Sequence, residues 1–151
     1  MSASPTDTLS LLLERAEGER DTAAQALHGA SAQAQAAHAQ HVELAGYRQD
    51  YRQRWTESFA QATTMDIVGC YQSFGQRLNQ AVDTQGHVAS HADQRQVRAR
   101  EALRQAELRV AALRQLIARR QAEAAKVDQR REQRATDEFA ARAHLRRIAH
   151  A

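Results

Sequence analysis

The apolar residues in the first third of the chain recur in alternating steps of three and four, the spacing of a heptad repeat. This stripe consists of Leu9, Leu13, Ala16, Arg20, Ala23, Leu27, Ala30, Ala34, Ala37, His41 and Leu44. Residues at this spacing lie on one side of an α-helix and form the seam of a coiled coil. The pattern therefore predicts one long helix that packs against a partner helix.

A second stripe with the same spacing follows and runs further along the chain. It consists of Val68, Tyr71, Gly75, Leu78, Val82, Gln85, Ala89, Ala92, Gln96, Ala99, Leu103, Ala106, Val110, Leu113 and Ile117. Two seams joined by a connector of a few residues pair most simply with each other in antiparallel orientation. The predicted fold class is all-α, a long antiparallel two-helix coiled-coil hairpin with a longer second helix.

Local signals indicate where the first helix begins. Ser4 is a suitable N-cap, and Pro5 fits the first helical position. The negative charge of Asp7 is stabilised by the positive end of the helix dipole. A short polar break then separates the two seams. We expect helix one at about 4–60 and a turn at about 61–65.

The second helix is expected at about 66–145, within a single hairpin that spans residues 1–151. If pairing is centred near residue 63, the chain beyond about residue 122 has no partner in helix one. The seam continues there with fewer large apolar groups, as Arg120, Ala124, Val127, Arg131, Arg134, Glu138, Ala141, Leu145 and Ile148. We therefore expect an unpaired basic tail at about 122–151.

Composition supports an elongated helical protein with a thin core. Hydrophobic residues make up 42% of the chain but are largely Ala, and aromatic residues make up only 5%. The single Pro is at position 5, so no Pro interrupts either predicted helix. Cys70 is the only cysteine, which excludes an intramolecular disulfide and fits a reducing cytosol.

Charge is distributed unevenly along the chain, although the net charge is only +3. Residues 1–60 hold five Arg against eight acidic residues, and residues 118–151 hold nine basic residues against five acidic ones. The tail is therefore the basic end. Leu11, Leu12 and Leu13 form the longest leucine run, which is far too short to span a bilayer, so no direct membrane insertion is expected.

The sequence contains no recognisable catalytic motif or nucleotide-binding glycine loop, and a two-helix hairpin offers no deep pocket. We therefore expect no enzyme activity and no cofactor. His38, His41, His87 and His91 could converge on zinc if His38 lies opposite His87. The favoured interpretation is that they are polar surface residues, so no metal site is predicted.

The basic tail admits a nucleic-acid interpretation, because its arginines could neutralise phosphates. These residues are Arg119, Arg120, Arg130, Arg131, Arg134, Arg146 and Arg147. Acidic residues such as Glu123, Asp128 and Glu132 interrupt the series. An acidic protein partner is therefore favoured over nucleic acid.

Six of the seven aromatic residues lie close to the predicted turn. Tyr47, Tyr51, Trp55 and Phe59 recur every four residues before it, and Tyr71 and Phe74 follow it. A two-helix seam cannot cover this many rings. Some rings should therefore face outward and form a docking surface.

These aromatic residues and their neighbours resemble the FliJ family, cytosolic stalk proteins of the bacterial flagellar type III export apparatus that are related to the YscO-like proteins of virulence secretion. The resemblance covers nearly the whole chain. It rests on the leucine-rich N-terminal heptads, the Tyr47 and Tyr51 pair, and the block that begins Tyr71-Gln72-x-Phe74. It implies a hairpin similar to the shaft of F-type ATPases.

The resemblance also implies partners and sites. The stalk would insert into the hexameric export ATPase, promote its activity, and bind the cytoplasmic domain of the export gate membrane protein and export chaperones, beside the inner membrane. The implied gate-binding residues are Gln40, Leu44, Tyr47, Tyr51, Phe74, Leu78, Ala81 and Gln85. The implied ATPase-binding residues are Glu14, Glu17, Glu19, Arg130, Arg131 and Arg134. Gln85 departs from the His that is common in the family.

Two alternatives remain open at the level of sequence. One is a structural or regulatory coiled-coil adaptor without an ATPase partner. The other is the equivalent stalk of a virulence type III secretion system. The flagellar export stalk is the favoured interpretation.

Overall fold

The computed structural model describes residues 4–61 and 64–151, and these residues form two helices. Helix α1 comprises Pro5–Phe59 and helix α2 comprises Met65–Ala149. The two helices pack against each other in antiparallel orientation and the second is longer, so the predicted fold class is confirmed. The heptad spacing of apolar residues is what determines this pairing.

Helix α1 begins with the cap that the sequence predicts. The Ser4 side chain accepts a hydrogen bond from the Thr6 amide at 3.3 Å, and the Ser4 carbonyl accepts one from the Asp7 amide at 2.9 Å. These bonds satisfy amides that have no partner within the first helical turn. Pro5 needs no such partner because it has no amide hydrogen.

The helix boundaries differ in detail from those expected. Met65 is the first residue of α2 rather than the last of the turn, and part of the expected turn, Ala62 and Thr63, lies outside the described residues. Helix α2 also continues to Ala149, beyond the expected end near residue 145. Arg146 and Arg147 lie in its last turn, where positive charge stabilises the negative end of the helix.

The chain divides into two compact units, and Arg20–Gln105 is the larger. Within it several hydrogen bonds link α1 to α2. Gln96 donates to the Ser31 hydroxyl at 3.0 Å, Gln85 donates to the Ala37 carbonyl at 3.1 Å, and further along the Tyr51 hydroxyl donates to the Tyr71 carbonyl at 3.4 Å.

The core of this unit is built mainly from alanine, together with Val82. Ala34, Ala37, Ala89 and Ala92 form one buried cluster and are 3%, 7%, 2% and 1% exposed. All the seam residues predicted for α1 and α2 within this unit are buried or half-buried. Because alanine buries little apolar area, this core stabilises the pairing by many small contributions.

The second unit combines the chain ends, up to Glu19 and from Ala106 onward. Its buried residues are Leu9, Ala16, Ala106 and Val110. From residue 118 to residue 151 every residue is exposed except Ala143, which is half-buried. This last part of α2 keeps its helical form while its side chains remain in contact with water.

Candidate functional site

The aromatic residues on both sides of the connector form one cluster within Arg20–Gln105. Tyr71 of α2 is at its centre, with ring centroids 5.1 Å from Tyr51, 4.4 Å from Trp55 and 5.4 Å from Phe59. The four-residue spacing in α1 places those three rings in a row along one helix face. Tyr71 therefore packs against three successive turns of α1.

Tyr51 joins this cluster to a more exposed ring. Its centroid lies 4.8 Å from that of Phe74 and 6.2 Å from that of Trp55. Burial raises the pKa of the Tyr51 phenol above its ordinary value, because the phenolate would be poorly hydrated there. Its hydroxyl remains protonated and can donate to the Tyr71 carbonyl.

An aromatic depression lies beside this cluster. Tyr47 is 56% exposed and Phe74 is 51% exposed, so much of each ring faces solvent. The residues that line it are Tyr47, Asp50, Tyr51, Arg54, Phe74 and Leu78. Aromatic rings beside charged groups provide apolar contact area and orienting polar contacts for a protein partner.

The structure places the residues implied for gate binding in two neighbouring groups. Four of them, Tyr47, Tyr51, Phe74 and Leu78, line the aromatic depression. Gln40 and Gln85 instead contact each other, since Gln85 donates to the Gln40 side chain at 3.2 Å. Leu44 and Ala81 are half-buried positions in α1 and α2.

Sequence reasoning did not identify Asp50 and Arg54 as part of this surface. Both line the aromatic depression. The signal was available, because Asp50 follows Tyr47 by three residues and Arg54 follows Tyr51 by three residues. Residues three apart are neighbours on a helix surface.

The acidic residues near the N-terminus are engaged by arginines of the same unit. Glu17 forms an ion pair with Arg114 at 3.3 Å, and Glu19 forms ion pairs with Arg109 at 3.6 Å and Arg15 at 3.4 Å. Glu14 is exposed. These pairs leave less free negative charge at this position than the sequence alone indicates.

The arginines implied for ATPase binding lie in the exposed part of α2. Arg130, Arg131 and Arg134 are all exposed. Within the described residues, no ion pair joins them to another side chain of this chain. They therefore present positive charge to solvent, separately from Glu17 and Glu19.

The histidines do not assemble as the zinc alternative requires. His38 contacts Asp93, with its Nε2 atom 2.8 Å from a carboxylate oxygen, rather than His87. The His41 ring lies against Gly86, where an added Cβ would be 3.3 Å from Nε2. Among residues 4–61 and 64–151, no group of three or more His, Cys, Asp or Glu side chains could hold a metal ion.

Neither helix, over the part of the chain that the structure describes, is long and apolar enough to cross a membrane. Helix α2 contains the exposed basic segment described above, and α1 carries the acidic residues that pair with arginine.

Comparison with known proteins identifies the family of the chain. The family model described as Flagellar FliJ protein matches residues 6–149, which include nearly all of α1 and α2. No curated protein and no solved structure matches the chain. The family match extends through the aromatic cluster and the basic end of α2. The chain belongs to the FliJ family and is a component of flagellar type III protein export.

Proposed function

We propose that this chain is the coiled-coil stalk of the export apparatus. In this function it binds within the hexameric export ATPase, promotes its activity, and connects it to the cytoplasmic domain of the export gate and to export chaperones. The observation that carries the proposal is that a chain of this family presents two distinct exposed surfaces, an aromatic depression and a basic helical segment. The protein acts beside the inner membrane, where the gate is embedded.

The basic end of α2 is the proposed ATPase-binding segment. Residues 118–151 hold nine basic and five acidic residues, and nearly all of them are exposed. An acidic surface on the inside of an ATPase ring would attract this segment and orient it. Glu14, Glu17 and Glu19 contribute less, because two of them pair with arginines of this chain.

The aromatic depression is the proposed gate-binding surface. Tyr47 and Phe74 supply exposed ring area, while Leu78 and the half-buried Tyr51 form its floor. Aromatic anchors of this kind supply most of the binding free energy at protein interfaces. Asp50 and Arg54 at the edge would fix the orientation of the partner.

The ATPase proposal is tested by reversing charge in the basic segment. Arg130→Glu, Arg131→Glu and Arg134→Glu together should abolish most stimulation of the purified export ATPase. The effect should shrink as salt rises, since exposed charges are screened over about 8–10 Å at physiological ionic strength. Far-UV circular dichroism should show that the helices remain.

A matched control reverses three exposed arginines elsewhere in α2, Arg95, Arg98 and Arg100. This variant has the same net charge and should stimulate the ATPase normally. If both triple variants fail equally, net charge rather than the basic segment is responsible. A chain that ends at Val127 and still stimulates fully would disprove the assignment of the segment.

The gate proposal is tested with Phe74→Ala and with Val97→Ala as its control, because Val97 is an exposed apolar residue of α2 outside the aromatic depression. Loss of an aromatic anchor typically costs 2 kcal/mol or more, or about 30-fold in affinity. Calorimetry with the purified cytoplasmic gate domain should show this loss for Phe74→Ala alone. Equal affinities for the two variants would contradict the proposal.

A further inference from the structure

The last part of α2 continues the heptad seam without a neighbouring helix over the described residues. Beyond Ile117 the seam runs through Ala124, Val127 and Arg131, and every seam residue from there to Ile148 is exposed. A helix that carries a heptad seam binds a second helix of matching pattern. The question is which helix matches this one.

We propose that residues 124–148 bind the same residues of a second copy of this chain in antiparallel orientation. The two-fold axis of this pair passes at residue 136. Each seam position then faces a position of the complementary heptad type in the other copy, as antiparallel packing requires. The interface includes Arg131 and Arg134 of the segment proposed for ATPase binding, so one chain cannot make both contacts at once. Self-association does not depend on the ATPase proposal or on the gate proposal.

The facing layers are complementary in size. Ala124 faces Ile148, and Val127 faces Leu145, so a small residue meets a large one in both copies. Val127, Leu145 and Ile148 are all exposed in the single chain, and pairing would remove them from water. Arg131 faces Ala141, which leaves room for the arginine stem to pass over it with its charge in solvent.

The central layers are complementary in charge. Arg134 faces Glu138 of the second copy, and the two-fold axis repeats this pair. Asp128 and Arg142 flank the seam, and each faces the other residue of the second copy, so this pair also occurs twice. The one pair of like charges is Asp137 with Asp137 of the second copy. Opposite charges therefore outnumber like charges at the interface, and the antiparallel register is specified by Arg134 and Glu138.

Charge complementarity selects a second copy over a uniformly acidic helix. An acidic helix would attract Arg134 but repel Glu138 and Asp128. An antiparallel second copy instead places an opposite charge against each of these three residues. Because several seam residues are Ala or Arg, the apolar area is small and the dimer is weak. We therefore expect micromolar or weaker self-association, at the weak end of the range for protein interfaces.

Sedimentation velocity of the purified full-length chain tests the proposal over a range of concentrations. The unmodified protein should pass from monomer to dimer. Arg134→Glu and Glu138→Arg should each weaken self-association by at least about tenfold, because like charges then face each other twice. The double variant that carries both changes should dimerise again.

A mixture of the two single variants provides the sharper test. Arg134→Glu in one chain meets Glu138→Arg in the other, so the mixture should form a heterodimer at concentrations where each variant alone is largely monomeric. Each single variant loses the pair of opposite charges that Arg134 and Glu138 form within its own helix. Mixing cannot restore that pair, so a dimer in the mixture must come from contacts between the two chains. Circular dichroism confirms that each variant is folded.

Matched controls reverse charge on the opposite side of the same helix. Glu132→Arg and Arg147→Glu change the net charge as the test variants do but lie at outward positions of the heptad. They should dimerise as the unmodified chain does. Three results would overturn the proposal: a monomer at all concentrations, a dimer that the Arg134 and Glu138 variants leave intact, or a mixture that stays monomeric.

Discussion

Tyr47 and Tyr51 are one helical turn apart, yet their surroundings differ. The Tyr51 ring lies within 4.8–6.2 Å of Phe74, Tyr71 and Trp55, measured between centroids, and is half-buried. Tyr47 is largely exposed, and its hydroxyl donates to Glu43 of the preceding turn, at 3.2 Å. The two residues are of the same type, but Tyr51 contributes to the packing between the helices and Tyr47 to the exposed surface.

We predict that Tyr51→Ala destabilises the protein and that Tyr47→Ala does not. Replacing a fully buried aromatic ring by Ala costs about 3–5 kcal/mol, so a half-buried ring should cost about 2 kcal/mol. Chemical denaturation followed by circular dichroism measures both changes. Equal effects of the two substitutions would show that the cluster contributes nothing beyond helix propensity.

The same ring predicts a response to alkaline pH. Because burial raises the pKa of Tyr51, the folded state retains the phenol proton above the ordinary value of 10.0. The corresponding stability is fully present below the unfolded pKa and is lost as pH rises through the folded pKa. The melting temperature should therefore fall less between about pH 9 and pH 11 in Tyr51→Phe than in the unmodified protein. Parallel decreases would refute this contribution.

At the scale of the helix, glycine interrupts two segments that otherwise favour helix. An added Cβ at Gly29 of α1 would meet no atom within 4 Å, whereas one at Gly86 of α2 would lie 3.3 Å from the His41 ring. Gly29 therefore weakens α1 although a larger side chain would fit at this position. Gly86 instead leaves room for a side chain of the opposite helix.

We predict that Gly29→Ala stabilises the protein by about 1 kcal/mol, the difference in helix propensity between the two residues. Gly86→Ala gains the same propensity but must displace the His41 ring, so its net gain should be smaller. Urea denaturation of both variants measures the difference. An equal gain at both positions would indicate that the His41 ring moves at no cost.

Sequence reasoning identified the helices and their seams because heptad spacing depends only on which residues are apolar. Residue-level contacts were harder to predict. The heptad register predicts His38 opposite His87, but the His38 ring contacts Asp93, because the position of a residue along the helix does not determine where its side chain extends. The family resemblance implies that Gln85 belongs to a docking surface, yet its amide also donates a hydrogen bond to the Ala37 carbonyl between the helices.

At the scale of the whole chain, no large side chain in the described residues is fully buried. Stability must then come from many small contacts and vary along the sequence. The alanine cluster of Arg20–Gln105 has the lowest exposure, while residues 118–151 are almost all exposed. Local unfolding should follow this difference.

We predict that amide hydrogen exchange is slowest around Ala34, Ala37, Ala89 and Ala92 and fastest beyond residue 118 of α2. Exchange from an exposed helix needs only local opening, whereas exchange in the cluster needs separation of the two helices. Mass spectrometry of peptic fragments measures this at low protein concentration, where chains are monomeric. Uniform protection along α2 would contradict the prediction.

The alanine cluster has one more consequence, which concerns how the two helices find a single alignment. Ala34 and Ala37 meet Ala89 and Ala92 through methyl groups alone, and such contacts do not distinguish one alignment of the helices from another. The alanine cluster by itself therefore contributes little to the choice of alignment. Alignment is specified instead by contacts that cannot be exchanged, Tyr51 with Tyr71 and Gln96 with Ser31. In this protein the residues that bury most completely carry the least information about register.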